Sequence, residues 1–347
     1  MNSRRLALSV LFLAAACSSS GGGDGGGGPG GGTGPATVAQ YCDAYWGAYA
    51  ARWAGCEHGS AAEAAAVFAP APRCADAVQA VAAGRASYDA SRAGACLSFV
   101  GTASCGVLEA FLEGKYPQAD CAAAIAGSLA AGAECYSHES CASGVCLGSP
   151  NACPSTCVTP TPSGSPCEFG VPCAAGTFCN ILLATAACTP FVQVDGSCWN
   201  DYWCGPGLFC EFVSFAENGC RPRVTSGSCT RDEECAIGYR CSSTSTCVAW
   251  RGPGESCTQG ENACGPGLWC GAGGTCVDGP TPPEACANVS GEDRPCIGGF
   301  CSWTGTAFVC APWLAPGDTC SLESQCRPTD VCDTAGTGTC ETLCAEP

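Results

Sequence analysis

The chain has 347 residues, 37 of them cysteine and 48 glycine, and a formal charge of −17 at pH 7. Cysteine at more than one residue in ten belongs to oxidising compartments, which excludes a reducing cytosol and a buried-core barrel or doubly wound enzyme. The acidic balance excludes nucleic acid and anionic headgroups as partners.

Residues 1–16 read as an export signal, with Arg4 and Arg5 ahead of the apolar run Leu6 to Ala16, which is too short to span a bilayer. The run Leu13-Ala14-Ala15-Ala16-Cys17 resembles a bacterial lipobox, with Leu13 one place earlier than the preferred position. That resemblance implies that Cys17 becomes the first residue of the mature protein and carries acyl chains into a membrane. Ser18 beside it then implies the outer membrane of a bacterial cell envelope. The competing reading is an ordinary signal peptide with a stray thiol at Cys17. Acylation accounts for the odd cysteine count, since 36 remain to pair. Two or three acyl chains hold a protein stably where one does not. Residues 17–36 are then the lipidated cysteine and a Gly/Ser-rich linker, a flexible tether of roughly 25 Å.

Residues 37–131 form an Ala-rich region with six cysteines, Cys42, Cys56, Cys74, Cys96, Cys105 and Cys121. Thr37-Val38-Ala39-Gln40 has the form of a capping box. Behind it Val38, Tyr41, Cys42, Tyr45, Tyr49, Trp53 and Cys56 recur at helical spacing on one face. Ser60-Ala61-Ala62-Glu63 repeats the capping pattern. Further helices are predicted over Cys74 to Ala83, Arg85 to Val100, Cys105 to Leu112 and Cys121 to Ala126, with Gly84, Gly101, Gly114 and Gly127 as stops. The six cysteines allow fifteen pairings, and three bridges would supply stability that alanine packing cannot.

Residues 132–347 contain seven cysteine-rich repeats of about 30 residues, with first cysteines at Cys135, Cys167, Cys198, Cys229, Cys257, Cys286 and Cys320. The fourth, with Cys229, Cys235, Cys241 and Cys247, shows the grammar of four cysteines and two bridges. Glycine stands three places after the second cysteine at Gly144, Gly176, Gly207, Gly238, Gly267 and Gly299, with Thr329 in the last repeat. A tight turn of positive φ feeding a strand would require it. An apolar residue precedes the third cysteine at Val145, Phe178, Phe209, Trp269, Phe300 and Val331, with Tyr239 one place earlier in the fourth repeat, as plugs of miniature cores. Units this small need staples. The first and last repeats carry a fifth cysteine, through Cys153 or Cys157 and Cys340 or Cys344. The expected fold class is small and disulfide-rich: an N-terminal disulfide-linked helical bundle followed by about seven short irregular or β cysteine-rich repeats.

The stretch Cys229-Thr230-Arg231-Asp232-Glu233-Glu234-Cys235-Ala236-Ile237-Gly238-Tyr239-Arg240-Cys241 resembles the opening of the Dickkopf N-terminal cysteine-rich domain. The wider region, residues 132–344, shares its spacing grammar but lacks the adjacent cysteine pair and the later colipase-like domain. The resemblance implies a disulfide module in an extracellular binding context.

Catalytic chemistry and metal ligation find little footing. Cys-x-x-Cys is absent, and His58 and His138 are the two histidines, both read as loop residues. No nucleophile elbow, zincin helix or phosphate loop occurs. Glu233 and Glu234 have no enclosing pocket. We therefore expect no catalytic residue, no metal and no cofactor. The candidate ligand contacts are the aromatics Phe191, Trp199, Trp203, Trp250 and Trp313, able to stack on sugars or partner side chains, or else to cement one repeat to the next. The leading expectation is a non-enzymatic, lipid-anchored surface protein for adhesion or ligand binding, its ligand a protein or glycan. The alternatives are an inhibitor-like module capturing a secreted hydrolase and an enzyme using His58 in the helical region.

Overall fold

The structure, a computed structural model, describes residues 34–112, 115, 118–147, 154–167, 171–181, 185–212, 218–258, 263–286, 296–322, 325–327, 330–332 and 338–342. The signal, Cys17, most of the linker, Gly114, Cys153, Thr329 and Cys344 lie outside the described residues. The fold is small and disulfide-rich, helical first and then a succession of short antiparallel ladders.

Among the described residues six helices come first: α1 (Val38–Glu57), α2 (Ala61–Val67), α3 (Pro70–Ala82), α4 (Ala90–Thr102), α5 (Cys105–Leu112) and α6 (Ala119–Ala124). The α1 cap forms as the sequence dictates, the Gln40 N–H donating to Thr37 Oγ1 at 3.2 Å. The reciprocal bond closes one residue further out, Gln40 Oε1 accepting from the Ala36 N–H at 3.1 Å. Ser60 caps α2 through the Glu63 N–H.

The predicted helix over Arg85 to Val100 is corrected at its start. Residues Ala86–Tyr88 form strand β1, and Asp89 caps α4 by accepting from the Ser91 and Arg92 N–H groups. A side chain that satisfies two orphan amides starts a helix where it stands. The partner of β1 is β2 (Ile125–Gly127), which takes the end of the helix expected over Cys121 to Ala126. Gly101 lies inside α4, and Gly127 serves close approach rather than a helix stop, since a Cβ there would meet the Cys141 carbonyl oxygen at 2.3 Å. Gly84 does end α3, with φ +71°. Cys42 bridges Cys74 and Cys96 bridges Cys121, while Cys56 and Cys105 are also disulfide-bonded.

The repeats contribute β3 (Glu134–Cys135), β4 (Cys146–Leu147), β5 (Ser155–Cys157), β6 (Thr177–Asn180), β7 (Ala187–Pro190), β8 (Leu208–Phe212), β9 (Asn218–Pro222), β10 (Tyr239–Cys241) and β11 (Cys247–Ala249). They continue with β12 (Leu268–Cys270), β13 (Cys276–Asp278), β14 (Gly299–Trp303), β15 (Phe308–Pro312), β16 (Asp330–Cys332) and β17 (Cys340–Thr342). Every repeat uses one connectivity, first cysteine to third and second to fourth. The fourth repeat pairs Cys229 with Cys241 and Cys235 with Cys247, and the same order runs from Cys135–Cys146 and Cys141–Cys157 to Cys320–Cys332 and Cys326–Cys340. Cys157 and Cys340 are thus fourth cysteines. The third and fourth cysteines face each other across the ladder, as Cys241 opposite Cys247 and Cys301 opposite Cys310 do.

Two turns place these sulfurs. Left-handed backbone occurs at Gly176, Gly207, Gly238, Gly267 and Gly298, each three places before the third cysteine. The sixth repeat is therefore corrected from Gly299 to Gly298, because the turn is counted back from the strand it feeds. In the first repeat Gly144 stands one place nearer. A second left-handed position precedes the first cysteine, at Gly132, Gly164, Asp195, Gly254 and Gly317, and its N–H donates to the carbonyl of the fourth cysteine at 2.7–2.9 Å. Four residues after one repeat's fourth cysteine, the chain bridges the next repeat's second, as Val192 does to Cys204 and Arg251 to Cys264.

The chain divides into two compact units. One holds residues up to Ala44 and Cys74–Arg223, with a helical core of Val100, Leu108, Phe111 and small residues from α3 to α6, and the first three repeats. The other holds Tyr45–Arg73 and Val224–Ala345, with Tyr49, Trp53 and Phe68 at its helical core, and the last four repeats. Within a repeat the buried cluster is largely cystine, such as Cys229, Cys235 and Cys247. Val145, Phe178 and Phe209 are buried as plugs, whereas Tyr239, Trp269 and Phe300 are half-buried.

Candidate functional site

The five candidate aromatics separate by environment. Phe191 and Trp203 are buried together in a cluster with Phe178 and Leu208, which joins the second repeat to the third. These two rings pack one repeat on the next and have no face for a ligand. Buried Lys115 caps that cluster, its ammonium 5.7 Å from the Phe191 centroid and 3.4 Å from the Asp201 carbonyl oxygen. Trp250 is half-buried under the Arg240 guanidinium at 5.6 Å, and Trp313 is half-buried. Trp199 is 46 % exposed.

Sequence reasoning missed the partner that makes Trp199 a surface. Phe212, 54 % exposed, stands edge-on to it with centroids 6.3 Å apart. A second pair occurs at the end of the sixth-repeat hairpin, where Trp303 (54 % exposed) faces Phe308 (43 %) across the ladder, 4.7 Å between centroids. Phe212 and Trp303 each lie two places after a third cysteine, and so does exposed Ile181. In the fourth, fifth and seventh repeats three-residue strands already bring the third and fourth cysteines together. The two further rungs of β8–β9 and β14–β15 are thus not needed for the bridges, and what they carry outward is aromatic. The signal available in the sequence was the longer interval between third and fourth cysteines combined with an aromatic at that register.

The sixth-repeat hairpin is preformed. Thr304 Oγ1 donates to the Ala307 carbonyl at 2.9 Å and accepts from the Ala307 N–H at 3.2 Å, closing the turn under the two rings. Residues 299–312 include no charged side chain, in contrast with the strongly acidic chain as a whole.

Of the two histidines, His58 is the solvated turn residue expected, whereas His138 is half-buried in a 3-10 turn. His58 ends α1 in left-handed backbone (φ +53°) with an exposed side chain. His138 is an acceptor: the Cys146 N–H donates to its Nδ1 at 3.0 Å. Asp201 and Asp232 occupy the same place in the third and fourth repeats, accepting from the N–H of Cys210 and Cys241 at 2.7 Å. Burial holds the His138 imidazole down at about 4, so its ring stays neutral and Nδ1 keeps its lone pair. Glu234 accepts from the Thr230 N–H and hydroxyl and pairs with Arg231, which makes it a turn residue.

The first, second and fourth cysteines of a repeat bring their sulfurs within 4.8 Å of one another, as Cys229, Cys235 and Cys247 do. A metal site would require thiolates, and each of these sulfurs is in a disulfide. Among the described residues no helix is long and apolar enough to cross a membrane.

Comparison with known proteins matches residues 197–245 to the family described as the Dickkopf N-terminal cysteine-rich region. The match covers the third repeat and most of the fourth, extending the resemblance carried by Cys229 to Cys241. Searches of curated proteins and of solved structures returned no match. Residues 197–245 are therefore a Dickkopf-like cysteine-rich module within a longer series of disulfide repeats, an architecture consistent with a non-enzymatic binding role.

Proposed function

We propose that the protein is a non-enzymatic binding protein of a bacterial cell envelope, anchored by acyl chains on Cys17, whose repeats display aromatic hairpin ends for adhesion. The observation that carries the reading is the Trp303–Phe308 pair, two large rings held outward on a closed turn where no bridge requires them. Exposed rings in a preformed array cost no ordering on binding and stack on apolar ligand faces. The uncharged hairpin favours a neutral ligand, and the ring-and-hydroxyl surface suits the C–H face and hydroxyls of a neutral glycan. Trp199 and Phe212 would offer a second contact of the same chemistry.

The test is binding of the oxidised full chain to a panel of neutral glycans. Trp303→Ala with Phe308→Ala is expected to weaken the interaction tenfold or more while leaving every disulfide intact. Unchanged binding in that variant, or binding only to anionic glycans, contradicts the reading.

A further inference from the structure

Helix α2 meets the fifth and sixth repeats, all within one compact unit, through a contact that includes a half-buried glutamate with one sealed carboxyl oxygen. Ser60 is fully buried; its N–H donates to the Pro266 carbonyl at 2.8 Å and its hydroxyl to Asp278 Oδ1 at 2.6 Å. One turn on, the Glu63 side chain packs so closely on the left-handed Gly267 that a Cβ there would come within 2.5 Å of Glu63 Cβ. The Gly298 backbone amide lowers the Glu63 pKa slightly, but Glu63 Oε2 is sealed from solvent with no hydrogen-bond partner among the described residues. The left-handed turns of two successive repeats, at Gly267 and Gly298, thus close over one carboxyl group.

A buried carboxylate with one oxygen unsatisfied is costly, whereas the neutral acid is far less so. We propose that Glu63 is a proton-operated latch: protonated, it seats α2 on the fifth and sixth repeats, and ionised, it loosens that seat. Desolvation raises its pKa to about 7, which puts the transition in a range an extracellular surface meets. The other charged groups at this contact are few among the described residues. Asp278 on β13 is engaged by Ser60, Glu57 at the end of α1 accepts from the Gly238 N–H at 3.4 Å, and His58 follows it with an exposed side chain. None of them supplies a cation against Glu63. Apart from Ser60 and Glu63, α2 is held mainly by Phe68 at its C-terminal end, which packs on Trp46, Tyr49 and Trp53. No bridge starts within α2 itself, so its seat can loosen while the neighbouring disulfides hold.

The sign follows from linkage. The folded value of about 7 lies above the ordinary 4.5, so the latch is fully closed below about 4.5 and weakens as pH rises towards 7. Amide hydrogen exchange of Ala61–Val67 in the oxidised full chain, corrected for intrinsic rates, tests it. The opening constant is expected to rise about tenfold per pH unit between 4.5 and 7 and to level off above. Glu63→Gln, which cannot ionise, is expected to give a flat profile with α2 protected throughout. A wild-type profile as flat as that of Glu63→Gln overturns the latch. Should that variant fold poorly, an NMR titration of the wild-type Glu63 carboxyl carbon decides: a midpoint near 7 supports the latch and one near 4.5 overturns it.

Discussion

His138, Asp201 and Asp232 perform one task with two chemistries, each accepting the N–H of a third cysteine within its strand. His138→Ala leaves that partly buried donor without a partner and is expected to cost about 1–2 kcal/mol, while His138→Asp retains the acceptor and most of the stability. Chemical denaturation of the two variants checks this. The pH dependence has a definite sign. The folded value of about 4 lies below the ordinary 6.5, so the stabilisation is complete above 6.5 and is lost as pH falls from there towards 4. His138→Asp should not show that loss until pH enters the carboxylate range. Glycines supply a second comparison at this scale. Gly176→Ala and Gly267→Ala both force a side chain into left-handed backbone, an expected cost of about 1–2 kcal/mol. A Cβ at Gly176 meets nothing within 4 Å, whereas at Gly267 it collides with Glu63, so Gly267→Ala should be the more destabilising in parallel melts.

An element here is a two-stranded hairpin too small to fold alone, and its cystines replace an apolar core. Removing Cys235 and Cys247 together frees a closure spanning 12 residues and is expected to cost about 3 kcal/mol. Exchange should then rise in β10 and β11 first. Much of this scale was readable: cysteine spacing announced the repeats and their count, and α5 begins and ends where its residues predict. Connectivity was not, because spacing alone does not say which sulfurs meet: the ladder sets the third cysteine opposite the fourth, while the bridges run first to third and second to fourth. Strand β1 was hidden inside a helical pattern because its pairing with β2 is long-range, and Asp89 was the local sign of where the helix truly starts. Of the candidate contacts, Trp199 was found without Phe212, and the Trp303–Phe308 pair was missed altogether. Neither follows a fourth cysteine, and the longer third-to-fourth interval that marks these hairpins takes its meaning from the ladder register. Phe191 and Trp203 were indistinguishable from them by residue type, since packing and display draw on the same aromatics.

At the scale of the whole molecule, sulfur crosslinks stand where other proteins have a large apolar interior. On the proposed anchoring, Cys17→Ser should leave the protein in the soluble fraction of cells and should add no lipid mass, while the folded repeats remain oxidised. A formal charge of −17 disfavours approach of such a chain to anionic surfaces. The most direct test of the account is bridge mapping by mass spectrometry of peptides from unreduced, alkylated native protein. The account predicts linkage of first to third and second to fourth cysteine in each repeat, Cys229 to Cys241 and Cys235 to Cys247 among them, with none of these cysteines alkylated. Free thiols at these positions, or linkage of first to fourth and second to third, would contradict it.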